Sequence, residues 1–440
     1  MFGSEHYLRL AAVLVAAALL GALIANPGAG KDYARQAAAL SPEATPVAMR
    51  ACDRGASALK APFAPIGDIL SVSPLGEATA PGEQLPAPAI RLNTRKGKTA
   101  FDRRVTTALA PAKADIVAIE RRTVRDAEGG AVREAWSVRL AVCDSVIVGY
   151  DDLDEIEPAI LARAGGLGNF HEMGVPDHLA AKTMIRVRQG EKIGAADGFD
   201  VFLEDRNAPP APLERPERYR SDAYVEGMAI SAPPAILEAI ASDASRLQCP
   251  LDYLPMSLTS EWKSKLGDAW GMRRAKGENA CRTALIDVPG AAQGAWFTDA
   301  SHNGRTSKVS AIALAPDTID PDRLIFALHG RVRSLDADMI GLNPMLEEAR
   351  EDAARDFLTF DQGDGRINTP FDKVRAGETY CYEGLRANFV GPRINAVILL
   401  AIEPGETAPL MRMEARGDAM RCIDLAEPWS FTGAETTFYR

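Results

Sequence analysis

The chain has 440 residues, a formal net charge of −10 and 47% hydrophobic residues. That length supports two or three domains with their own cores. The acidity and the lack of any basic stripe argue against a nucleic-acid partner, whose phosphates require clustered Lys and Arg.

Residues 1–30 hold one basic residue before an apolar run from Leu10 to Ala25, closed by Asn26, Pro27 and Gly28. The run is shorter than the roughly 20 residues that span a bilayer and suits a signal-peptide core. A retained N-terminal anchor is the alternative. Residues 31–60 read as an Ala-rich linker or stalk. From Ala61 to Leu92 the spacing of Pro and Gly excludes a helix and suits extended loops leading into a strand.

Alternating or β-branched segments follow at 115–120, 136–143 and 146–150, with Glu128-Gly129-Gly130 as the turn between the first two. A short helix is expected near 157–164. Pro209, Pro210, Pro212 and Pro216 mark a linker. After Pro233-Pro234, Ile236, Ile240 and Leu247 fall on one face of an expected helix. Leu258, Trp262 and Leu266 do the same for a second, over 257–270, where the Trp is expected in the core.

Beyond Cys281 the text turns β-rich, with strands expected at 284–288, 295–300, 308–315, 323–330, 378–385, 395–403 and 409–416. One helix, 343–358, interrupts them, with Pro344 near its start. The reading is mainly β, with a few helices: a small antiparallel β domain over 61–207, a helical connecting segment over 208–280 and a β-sandwich-like domain over 281–440.

Six cysteines occur, Cys52, Cys143, Cys249, Cys281, Cys381 and Cys422, none in Cys-x-x-Cys and none at metal spacing from a histidine. An even count behind an export signal favours disulfides, and six cysteines permit 15 pairings. Proximity within domains selects Cys249–Cys281 and Cys381–Cys422, leaving Cys52–Cys143. Six reduced buried thiols are the alternative.

No Gly-x-Ser-x-Gly elbow, phosphate-binding Gly-rich loop or dinucleotide fingerprint is present. The Asp361–Gly365 stretch fails the ligand spacing of an EF-hand and reads as a turn.

Several segments resemble the lysostaphin-type zinc metallopeptidases, whose core is the duplicated hybrid motif. Ser73-Pro74-Leu75-Gly76 and the stretch from Pro81 to Ile90 resemble P-L-G and P-P-G-H-x-x-P-x-x-H-I. Residues 114–118 resemble G-x-P-V-x-A, and Tyr150-Asp151-Asp152-Leu153 resembles Y-x-H-L. The Val187, Gly190, Ile193, Gly194 turn precedes the strand that carries His-x-His in such enzymes. Residues 249–253, 287–297, 365–368 and 379–383 extend the likeness in patches to Cys422. The resemblance implies that Glu83, Ala89, Asp152, Asp200 and Phe202 stand where histidines are expected. It therefore implies a scaffold without its zinc ligands, with no catalytic residue, no cofactor and no metal.

The five histidines offer little else. Catalytic zinc needs about three protein ligands and an open water position. His171 and His178, with Glu172 and Asp177, make one alternative loop site, but their spacing is not that of a helical His-Glu-x-x-His site. Asp102, Asp152 and Asp200 are expected to gather if the resemblance holds. Three functional expectations follow. The first is an exported, periplasmic or secreted pseudo-peptidase that binds or scaffolds, its partner a cell-wall component or an envelope protein. The second is a cell-wall or peptide hydrolase with a metal site moved to His171/His178. The third is an anchored structural subunit of an envelope assembly, held at the inner membrane by its N-terminal segment.

Overall fold

In this computed structural model the described residues are 51–52, 58–77, 87–94, 104–125, 131–174, 177–211, 234–277, 280–281, 287–298, 300, 311–329, 356–387, 391, 393–405 and 409–440. Among the expectations, those for the N-terminal apolar run, Glu83, Asp102, the 128–130 turn, most of the Pro-rich linker and most of the 343–358 helix lie outside them. Arg50–Arg440 form one unit, in which no helix among the described residues is long and apolar enough to cross a membrane.

The first half is built on an antiparallel sheet in the order β1 (Ile69–Ser73), β2 (Ile90–Thr94), β11 (Phe199–Asp205), β6 (Val146–Leu153), β5 (Ala131–Ala141), β4 (Ala114–Arg125), β9 (His178–Val187) and β8 (His171–Glu172). A short strand, β12 (Leu247–Gln248), also pairs with β11. A second sheet, β3 (Thr106–Leu109), β10 (Lys192–Ala196) and β7 (Glu155–Ile156), packs across it. Period-two alternation decides which side each residue takes. Ile116, Val138, Tyr150, Val201 and Leu203 enter one core. Tyr150 donates its hydroxyl to the Leu109 carbonyl at 2.6 Å and so ties the sheets together. Its burial pushes that hydroxyl well above the ordinary tyrosine value.

The helix expected near 157–164 is α1 (Pro158–Arg163), which begins on its proline. α2 (Pro234–Ile240) stops earlier than expected. The Asp243 carboxylate accepts from the Ser245 amide at 3.0 Å, closing a local turn that competes with helix, and Leu247 passes into β12. Ile236 and Ile240 still pack on Ala118 and Ala180. α3 (Met256–Lys263) also ends early, because the following segment leaves to pair with β1. Trp262 on α3 is fully buried and meets Phe63 edge to face at 5.7 Å, a core residue as expected.

The second half is one antiparallel sheet in the order β17 (Thr379–Tyr382), β19 (Val397–Glu403), β20 (Leu410–Arg416), β21 (Thr436–Tyr439), β13 (Gly294–Phe297), β14 (Ala311–Pro316), β15 (Arg323–His329), β16 (Asp356–Asp361) and β18 (Arg386–Ala387). β17 and β16 lie near opposite ends of that order. Even so, the Tyr382 ring stands 5.2 Å from those of Phe360 and Phe326. The sheet must therefore curl over a single core, which gives the sandwich-like character expected. β19 reads Val-Ile-Leu-Leu-Ala-Ile without alternation because both its faces are buried, Ile398 and Leu400 in the main core and Val397 and Leu399 beside Cys422 and Trp429.

Residues 356–358, expected as the end of a helix, are strand. Leu358 and Phe360 point into the aromatic core, and that burial outweighs the helical pattern before them. The three disulfides are Cys52–Cys143, Cys249–Cys281 and Cys381–Cys422, the pairing that proximity selects. Their separations of 91, 32 and 41 residues give each roughly 4 kcal/mol in the chain-entropy picture. The halves are joined by Arg273 to Asp317 and by Lys276 to Asp320 at 2.8 Å.

Candidate functional site

Strand register builds the site. Asp200 on β11 lies opposite Arg91 on β2 and opposite Asp151 on β6. Phe199, Val201 and Leu203 take the core face, so Asp200, Phe202 and Glu204 share the other face with Arg91 and Asn93. The Arg91 guanidinium donates through Nη1 to Asp200 Oδ1 at 3.0 Å and through Nη2 to Asp152 Oδ2 at 3.1 Å. One planar cation thus bridges two carboxylates, which suits its fork geometry.

Asp152 is held further by Arg133, and Arg122 stands 3.8 Å away. Its backbone is left-handed, with φ of 68°, which carboxylate residues tolerate better than most. A shallow cleft of about 220 Å³ opens beside this cluster, lined by Ser73, Glu77, Ala87, Ala89, Arg91 and Asp200. Most of that space is open to solvent, and the enclosed part has room for about one water molecule.

The ionic pattern continues along the same face. Arg139 donates to Asp151 at 2.8 Å, stands 3.5 Å from Glu120, and lies over the Phe202 ring at 4.5 Å. Burial works against the Arg139 charge, but Asp151 and Glu120 outweigh it and hold the guanidinium above its ordinary value. Burial likewise raises Asp151, and Arg139, Ser137 and Arg122 overcome it, leaving the carboxyl below its ordinary value. Phe202 lies across Gly149, where a Cβ would come within 1.8 Å of its ring. Only glycine fits under that ring.

Of the five positions where the resemblance calls for histidine, the structure describes four. Asp152 and Asp200 are paired with Arg91, Phe202 covers Gly149, and Ala89 is buried beside the cleft. The expected meeting of Asp152 with Asp200 therefore occurs around a guanidinium. A metal ion would have to displace that fixed positive charge. The donor set does not suit zinc.

The alternative site does not assemble. His171 pairs with Ala180 and Glu172 with Leu179 in an antiparallel ladder, both side chains exposed, while Asp177 turns the chain with φ of 59°. His178 is buried with Nε2 at 3.2 Å from Glu120. The exposed pair and the buried His178 do not form a group at ligating distance with Asp177. Among the described residues the one group at ligating distance is Cys52, Cys143 and Asp144, whose sulfurs are spent in a disulfide.

Sequence reading missed Arg91, Arg122, Arg133 and Arg139. A signal was present: Ile90-Arg91-Leu92-Asn93 alternates, which puts Arg91 and Asn93 on the face away from the core. Compared with protein-family models, curated proteins and solved structures, the chain has no match. Fold and site define a mainly β, disulfide-tied protein whose central sheet carries a closed Arg–Asp network.

Proposed function

We propose that this is an exported cell-envelope protein, a pseudo-peptidase that binds or scaffolds a cell-wall component or an envelope protein. The observation that carries the reading is Arg91, whose guanidinium stands between Asp152 and Asp200 where the resemblance calls for zinc ligands. A carboxylate already held by a guanidinium is a poor metal ligand. The three disulfides support export, since such bonds persist in oxidising compartments. The acidic chain gives nucleic acid no basic footprint.

Elemental analysis of the purified protein, paired with a muropeptide-cleavage assay with and without added zinc, tests this. The expected result is neither stoichiometric zinc nor cleavage. Stoichiometric zinc accompanied by cleavage refutes it.

A further inference from the structure

The first sheet ends on an unfinished edge. β8 pairs with β9 only at Leu179 and Ala180, through Glu172 and His171. Beyond them, only β4 pairs with residues 181–187 of β9. Period-two alternation decides which backbone groups face outward. The His178 carbonyl accepts from the Met173 amide, and the Arg186 carbonyl from the Arg163 guanidinium, each at 2.9 Å and from the outer side. Lys182 and Met184 share that even parity, so their amides and carbonyls face outward too. A register shift against β4 lies between these anchors, and the parity is even on both sides of it. Among the described residues, Lys182 and Met184 have no partner on that side.

The other ends of the two large sheets are covered. The Val72 amide of β1 donates to the Lys265 carbonyl, and the Gly267 amide to that of Val72. Along β17, the Cys381 amide donates to the Arg366 carbonyl and the Asn368 amide to that of Cys381. Arg386 of β18 bridges to Arg393. The β9 edge is also basic, in a chain of net charge −10. Lys182 is exposed and makes no ion pair among the described residues, and Met184 is 50% exposed. Arg163, Arg186 and Arg188 lie at the Arg186 end. Asp115 is held by Arg186, and Glu191 by Arg163 at 2.7 Å and Arg188 at 3.7 Å. Four cations thus meet two carboxylates.

We propose that the outer edge of β9 takes up an extended acidic segment of a partner protein as an antiparallel strand in line with β8. Backbone bonds to Lys182 and Met184 supply affinity, and side chains supply selection. Residues opposite Lys182, Met184 and Arg186 share one face, so the fitting segment reads acidic-x-apolar-x-acidic. A lysine on an edge discourages neutral and basic strands and admits an acidic one. A second copy does not fit. Pairing two β9 edges about Met184 would set Lys182 of each copy opposite Arg186 of the other, and like charges directly opposite destabilise.

The proposal rests on the binding part of the function proposed above and not on the absence of hydrolysis. The test uses the full protein with isotope-labelled methionine methyl groups, the Met184 signal being assigned by its loss in Met184→Leu. The probe is the capped peptide Glu-Thr-Val-Thr-Glu. It is expected to shift the Met184 methyl signal saturably. N-methylation of the central Val is expected to abolish that shift, because this amide faces the Met184 carbonyl. N-methylation of the two Thr residues, whose amides face solvent, is expected to leave it. Lys182→Glu is expected to weaken binding by about tenfold or more, with an unchanged circular dichroism spectrum. No shift at millimolar peptide, an equal shift with the centrally methylated peptide, or full affinity in a folded Lys182→Glu protein overturns the proposal. A Met184 shift that follows protein concentration without peptide assigns the edge to a second copy and overturns it too. If Lys182→Glu fails to fold, the methylated peptides decide. Zinc-dependent cleavage with the peptide response intact would sink the pseudo-peptidase reading and leave this one standing.

Discussion

Replacing Arg91 by Ala removes both charge-assisted hydrogen bonds at the centre of the site. Each such bond is worth roughly 1.5–3 kcal/mol when its partner is buried. Asp152 keeps Arg133 and Arg122, so its loss is partly covered. Asp200, only 8% exposed, loses its 3.0 Å hydrogen bond from Arg91. Because the Arg91 side chain is itself 31% exposed, solvent screens part of the interaction. The net cost is then about 2 kcal/mol. An unfolding entropy near 2.1 cal/mol/K per residue, summed over roughly 390 residues, converts that to a Tm drop of about 2–3 °C. Scanning calorimetry measures the drop. A double-mutant cycle with Asp200→Ala isolates the pair, with an expected coupling of about 1–2 kcal/mol. Arg91→Lys should recover only part of the loss, since an ammonium cannot span both carboxylates as a planar fork does. An Arg91→Ala protein as stable as wild type, or a coupling of zero, would show that the bridge contributes nothing and refute the reasoning.

Two further outcomes are expected. Gly149→Ala puts a methyl group into the Phe202 ring, so thermal melts should show a loss of about 2–3 kcal/mol, partly recovered by adding Phe202→Ala; a neutral Gly149→Ala would mean the ring is not seated there. Asp151 has a folded pKa below its unfolded value, so its stabilisation is present above about pH 3.9 and is lost as pH falls through the folded value. Acid titration monitored by circular dichroism should therefore show a shallower loss of stability below about pH 4 in Asp151→Asn than in wild type, and equal slopes would count against the Arg139–Asp151 assignment.

Much of the fold was legible in the sequence. β4, β5 and β6 appear where β-branched and alternating residues predict them, because a half-buried strand needs only a local period of two. Trp262 was legible as core from its spacing with Leu258 and Leu266. The disulfides were legible from proximity alone. Features set by distant partners were not. Residues 356–358 follow a helical pattern but join a strand, since Leu358 lies opposite Phe326 on the neighbouring strand and Phe360 stacks on the same ring. β21 was missed because Thr436–Tyr439 is short and its partners β20 and β13 are remote in sequence.

At the site the division is sharper. The sequence by itself determined that Asp152, Asp200 and Phe202 stand where the resemblance calls for histidine, and alternation placed Arg91 and Asp200 on the faces of their strands away from the core. It did not contain their meeting. Arg91 lies 61 residues from Asp152 and 109 from Asp200, and only the pairing of β2, β11 and β6 brings the three charges within 3.1 Å. Side-chain direction is a local property of a strand, whereas charge neutralisation depends on register between strands, which the folded sheet alone decides.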